Sequence, residues 1–73
     1  ENPNLPGLGV GDGTEISNAI IDKNARIGKN VYLSPHGLTE GWADKGENIY
    51  VRDNILIVTK NAVVQDGTCL GKR

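Results

Sequence analysis

IDKNARIGKNVYL, from Ile21 to Leu33, holds the reading that decides the fold. It is one six-residue figure written twice. An aliphatic residue opens each copy, Gly or Asn follows three positions later, and a small or β-branched residue stands four positions later. Working outward, aliphatics sit at Val10, Ile21, Ile27, Leu33, Val58, Val64 and Leu70. The third-place residues are Gly13, Asn24, Asn30, Asn61 and Gly67. The fourth-place residues are Thr14, Ala25, Val31, Ala62 and Thr68. An α-helix would repeat its apolar set at three and four, and a sandwich of alternating strands would not hold Gly and Asn in fixed phase. A hexad of this kind describes one flat face of a left-handed parallel β-helix. Its aliphatic and small residues point inward, and its corner needs a residue tolerant of positive φ.

The beat predicts an all-β chain, a hexapeptide-repeat fragment of about two coils with one excursion loop. Residues 1–7, with Pro3 and Pro6, read as a linker, and residues 8–73 as the β-helix domain. Ile16 follows Val10 by six, but Ile21 follows Ile16 by five, so one residue is missing from a corner within Ser17–Ile20. An uncorrected slip of one would turn the apolar set outward. The beat breaks over 34–48, which carries Pro35, Gly37, Gly41, Gly46, His36 and the only Trp, and reads as a loop thrown out from the coil. Ile49–Val51 reads as a short strand, and Ile55–Val58 as the return. Val10, Ile16, Ile21, Ile27, Leu33, Val58, Val64 and Leu70 are expected to face the core.

Length and charge set further bounds. A chain of 73 residues makes at most one domain. Coils bury their faces only against neighbouring coils, so a chain of this length calls for a partner. It opens on Glu1 without a methionine and reads as a piece of a longer polypeptide. Eight Lys and Arg face nine Asp and Glu, which gives no nucleic-acid footprint and no membrane surface. No apolar run is long enough to span a bilayer. One cysteine makes no internal disulfide, and no His or Cys cluster suggests a metal, so a cytoplasmic setting is expected.

Candidate chemistry is sparse. The residue before each new aliphatic faces outward, which places Glu15, Arg26, Tyr32, Val63 and Cys69 on outer faces; the apolar ones suggest cover by another domain or subunit. The second place of the hexad holds Lys23, Lys29 and Lys60, with Asp12 and Asp66 in the other hexads. Because corners stack, such lysines either solubilise their turns or line an edge into an anion site, with Arg26 or Arg52 able to add a fork. His36 is either an ordinary loop histidine or the general base of an acyl-CoA-dependent hexapeptide acyltransferase, though no carboxylate stands near it in sequence to orient its ring. Cys69 has Lys72 as its one basic neighbour. The glycine-rich GLGVGDG, Gly7 to Gly13, lacks the helix and lysine of a phosphate loop and reads as scaffold.

The run NAIIDKNARIGKN (Asn18 to Asn30) resembles the C-terminal β-helix domain of ADP-glucose pyrophosphorylase (glucose-1-phosphate adenylyltransferase). VGDGTEI (Val10 to Ile16), the strand Ile49-Tyr50-Val51-Arg52 and IVTKNAVVQDGT (Ile57 to Thr68) extend the resemblance over nearly the whole chain. It implies a parent enzyme whose N-terminal domain makes ADP-glucose from ATP and glucose-1-phosphate with Mg²⁺, for glycogen or starch synthesis, in the cytoplasm or, in a plant, the plastid. It implies no catalytic residue, metal or cofactor in this chain. Its implied partners are the catalytic domain, the other subunits of a homotetramer, and an anionic metabolite held by Lys23 and Lys60; by hexad place, Arg26, Lys29 and Arg52 are candidates to support that pair. Two stretches depart from the family: Leu33-Ser34-Pro35-His36-Gly37-Leu38 replaces a run close to IINKDN, and Asp53-Asn54 replaces a small Ser-Gly pair. An acyltransferase fragment, or a structural cap of another sugar nucleotidyltransferase, is the competing reading.

Overall fold

A computed structural model describes residues 7–44 and 48–72. Residues 1–6 of the expected linker lie outside the described residues. Nine strands follow in order: β1 Gly9–Val10, β2 Glu15–Ile16, β3 Ala19–Ile21, β4 Arg26–Ile27, β5 Tyr32–Leu33, β6 Ile49–Arg52, β7 Ile55–Val58, β8 Val63–Val64 and β9 Cys69–Leu70. They form three three-stranded sheets, ordered β1-β4-β8, β2-β5-β9 and β3-β7-β6. These are the three faces of the β-helix, called A, B and C below.

Every pairing between coils is parallel and keeps the hexad in phase. Val10 pairs with Ile27 and Ile27 with Val64 on face A. Ile16 pairs with Leu33 and Leu33 with Leu70 on face B. Ile21 pairs with Val58 on face C. One turn of the coil therefore takes seventeen residues from Val10 to Ile27 and thirty-seven from Ile27 to Val64. The short turn contains the expected missing residue. Asn18, at φ 47°, makes that corner one place early, and Ala19 resumes the inward position two residues before Ile21. The long turn holds the excursion. Gly13, Asn24, Asn30, Asn61 and Gly67 all take positive φ, as their hexad place requires.

The core is made by the middle of the stack. Ala25, Ile27, Val31, Leu33, Leu56, Val58, Ala62 and Val64 are buried, with Ile16, Ile21 and Leu70 packed against them. Val10 corrects the expectation of a core position. It points along the inward row but stays 52% exposed, because no described strand lies above β1. Ile27, one layer in, is 1% exposed. Removing the first contact layer accounts for the difference.

The excursion is not simply thrown out. Ser34 and Pro35 are fully buried, and Leu38 and Trp42 pack on the core. β6 then returns antiparallel to β7, bringing Ile49 and Val51 into the core, and occupies on face C the layer that β8 and β9 occupy on the other faces. The excursion also covers β6: Gly41 N donates to Val51 O, Val51 N to Trp42 O and Asp44 N to Ile49 O. Asp53 and Asn54 keep the β6–β7 turn despite departing from Ser-Gly. At φ 55° and 61° they supply the two left-handed residues of a type I′ hairpin, and Glu40 accepts the Asp53 amide.

Tyr32 needs no external partner for its cover. It is only 9% exposed within this chain, and its hydroxyl donates to the Lys72 carbonyl at 2.9 Å. Face C presents a different exterior. Along β7 the inward Leu56 and Val58 alternate with Ile55 and Ile57. Ile57 pairs with Ile20 on one side and Tyr50 on the other. Ile20 is 55% exposed and Ile55 is also exposed. A sheet apolar on both sides is the pattern of a sheet covered on both sides.

Candidate functional site

Two tight turns leave face C for face A, one in each layer. Asp22-Lys23-Asn24-Ala25 forms the first and Thr59-Lys60-Asn61-Ala62 the second. The register fixes how they stack: Ile21 on Val58 before the turn, Arg26 on Val63 after it. Lys23 therefore lies over Lys60, residue for residue. Three bonds lock the layers together, Asp22 N to Val58 O at 2.9 Å, Asn61 N to Lys23 O at 3.1 Å and Arg26 N to Ala62 O at 2.8 Å. The second turn closes on itself through Ala62 N to Thr59 O at 3.1 Å, with Asn61 at φ 64° in its third place, as a type II turn demands.

Both lysines are exposed. Their backbones are one layer apart, about 4.8 Å. Two ammonium groups at such a spacing repel by about 1 kcal/mol in water. A phosphate or carboxylate between them converts that repulsion into two charge-assisted contacts. The carboxylate of Asp22, the acid nearest in sequence, accepts the Lys23 amide at 2.7 Å, so one of its oxygens is engaged with the backbone of its own turn.

Lys29 stands apart from this pair. Its turn leaves face A for face B, where Asp12 and Asp66 hold the same hexad place one layer to either side. Asn30 N donates to Asp12 O, Gly67 N to Lys29 O, and the Asp66 carboxylate accepts the Lys29 amide at 2.8 Å. An ammonium between two stacked carboxylates does not extend an anion site. Arg52 is also separated. It pairs with Ile55 at the hairpin end of face C, whereas Lys60 follows Val58 at the other end. Arg26 is half-buried in β4 between Gly9 and Val63, directly after the Lys23 turn, and is the one expected supporting residue on the same edge.

Among the described residues, the remaining candidates stand apart from one another. His36 is exposed, and its Nε2 lies 3.3 Å from the Asn18 side-chain amide. Its backbone is held by Ser34 Oγ and by the Lys72 amide. Cys69 is an exposed free thiol on the outside of face B. Among the described residues, no three His, Cys, Asp or Glu side chains converge as metal ligands. An open depression at the hairpin end of face C is lined by Asn18, Ala19, Ile20, Asp53, Asn54 and Ile55, away from both lysine turns.

Two contributors escaped the sequence reading. Thr59 and Asp22 occupy equivalent places just before the two lysines and anchor their turns. The hexad place after each inward aliphatic was open to inspection, but nothing in its variable residue types marks it as an anchor. A family model described as the GLGC left-handed parallel β-helix domain matches residues 1–69.

Proposed function

The chain belongs to the family of GLGC left-handed parallel β-helix domains, and from that membership we propose that it regulates and helps assemble an ADP-glucose pyrophosphorylase. The parent enzyme would join the adenylyl group of ATP to glucose-1-phosphate, with Mg²⁺ and release of pyrophosphate, on a separate catalytic domain. No step of that chemistry is assigned to this chain. Its own contribution is an anion-binding edge, and the observation that carries this is the stacking of Lys23 on Lys60 at one corner of adjacent coils. Arg26, leaving the same corner, supports it.

The ligand class follows from the chemistry. Two exposed lysines whose backbones stack a layer apart suit a compact, multiply charged head such as a phosphate, and their exposure suits a freely exchanging metabolite rather than a resident cofactor. The catalytic domain and neighbouring subunits of a homotetramer are the proposed assembly partners. The aliphatic exterior of face C, with Ile20 and Ile55 exposed, supports such cover. The setting proposed is the cytoplasm, or the plastid in a plant.

The test is Lys23→Ala and Lys60→Ala in the full-length enzyme, with turnover followed against effector concentration. A charge-assisted contact is worth about 1.5–3 kcal/mol, so each change is expected to weaken the effector response about tenfold or more. An unchanged response in both variants overturns the proposal. Loss of basal turnover with the effector dependence intact assigns the lysines a structural role instead.

A further inference from the structure

Besides its bonds to the coil, the turn that presents Lys60 is tied to one carbonyl of the excursion. Thr59 donates to Asn48 O twice, from its amide at 2.9 Å and from its hydroxyl at 3.0 Å. Its own carbonyl takes the Ala62 amide and closes the Lys60 turn. Thr59 thus spends its amide, carbonyl and hydroxyl on fixing the residue that follows it. The layer above is built differently. Asp22 anchors to the coil through Val58 O, and its carboxylate takes the Lys23 amide.

Asn48 is itself held from within the excursion. The Asp44 carboxylate accepts the Asn48 amide at 2.7 Å and the Ile49 amide at 3.1 Å, while Asp44 N donates to Ile49 O. A continuous chain of bonds runs from Asp44 through Asn48 and Thr59 to the Lys60 turn. We infer that Thr59 is a positioning residue for Lys60, through which the base of the excursion sets the geometry and affinity of the anion edge. The Lys23 carbonyl shares one bond with the Asn61 amide along the coil, and the hold added by the excursion falls on the Lys60 turn. Such an arrangement lets excursion sequence tune anion affinity without touching the lysines. The inference rests on the anion-edge reading of Lys23 and Lys60.

The experiment measures inorganic phosphate binding to the full-length enzyme by calorimetry in Thr59→Val, Thr59→Ser, Lys60→Ala and the Thr59→Val/Lys60→Ala pair. Valine keeps the β-branched shape and the amide bond to Asn48 but removes the hydroxyl donor. Thr59→Val is expected to weaken phosphate binding about threefold to tenfold, the worth of one hydrogen bond. Thr59→Ser, which keeps the hydroxyl, is expected to restore it. In the Lys60→Ala background the valine effect is expected to vanish, because the two changes then remove the same interaction. A weakening of equal size in that background, or one that serine fails to rescue, overturns the inference by showing a general structural effect. Unaltered binding in Thr59→Val beside weakened binding in Lys60→Ala overturns it while leaving the anion edge standing. Unaltered binding in Lys60→Ala overturns both.

Discussion

Lys23 and Lys29 hold the same place in successive hexads, six residues apart, yet they sit in opposite electrostatic settings. Lys23 lies over another lysine, Lys60, one coil away. Lys29 lies between Asp12 and Asp66. The two turns share shape, since Asn24 and Asn30 both adopt positive φ, and the Lys23 and Lys29 carbonyls accept the amides of Asn61 and Gly67 in the next layer. What distinguishes them is the residue stacked one layer away, far off in sequence. In a solenoid the chemistry of a corner belongs to the column, and a single hexad does not carry it.

Both columns stand on one core, which gives the largest expected effect. Ile27, at the centre of the stack, is nearly inaccessible. Ile27→Asp places an unpaired carboxylate there and is expected to abolish folding, seen as loss of soluble protein and of a cooperative thermal transition. Both edges should fail together. A folded Ile27→Asp variant with phosphate binding intact breaks the claim that a common core positions them.

Gly28→Ala probes the acidic column alone. A β-carbon on Gly28 would come within 2.6 Å of the Asp66 backbone nitrogen, and backbone there yields only by shifting the coil. A loss of about 1–3 kcal/mol in unfolding free energy is expected from such overpacking. Phosphate affinity at the Lys23–Lys60 column should stay within experimental error. Matched losses at both columns would show that they are not independent.

The smallest effect is expected from Lys29→Ala. An exposed lysine flanked by carboxylates contributes within about 0.5 kcal/mol to stability. Its removal should alter the effector response less than twofold, against the tenfold expected at Lys23 or Lys60. An equal effect at all three lysines would reduce the comparison to net charge.

Much of this was legible in the sequence, and the limits have physical causes. Local demands write themselves into residue type. The left-handed corners at Asn24, Asn30 and Asn61, the inward rows and the shortened corner before Ala19 could all be read from hexad phase. The resemblance to the ADP-glucose pyrophosphorylase β-helix domain rested on the same hexads and agrees with the family match over residues 1–69. Stacking partners are long-range. Lys23 meets Lys60, and Lys29 meets Asp66, only once the coil length of thirty-seven residues is known. The excursion kept no period, so the burial of Ser34 and Pro35 and the packing of Trp42 left no mark beyond the Ile49–Val51 strand. Thr59 and Asp44 act through backbone carbonyls and amides, and such bonds leave little trace in residue type.

The stacked pair can be observed directly. Crystals of the full-length enzyme soaked in selenate, a phosphate-like anion with a strong anomalous signal, locate the preferred anion site without reference to activity. An anomalous peak is expected to bridge the Lys23 and Lys60 ammonium groups, with none in the Asp12–Lys29–Asp66 column. Ordered selenate elsewhere, with both lysines pointing into solvent, would contradict it.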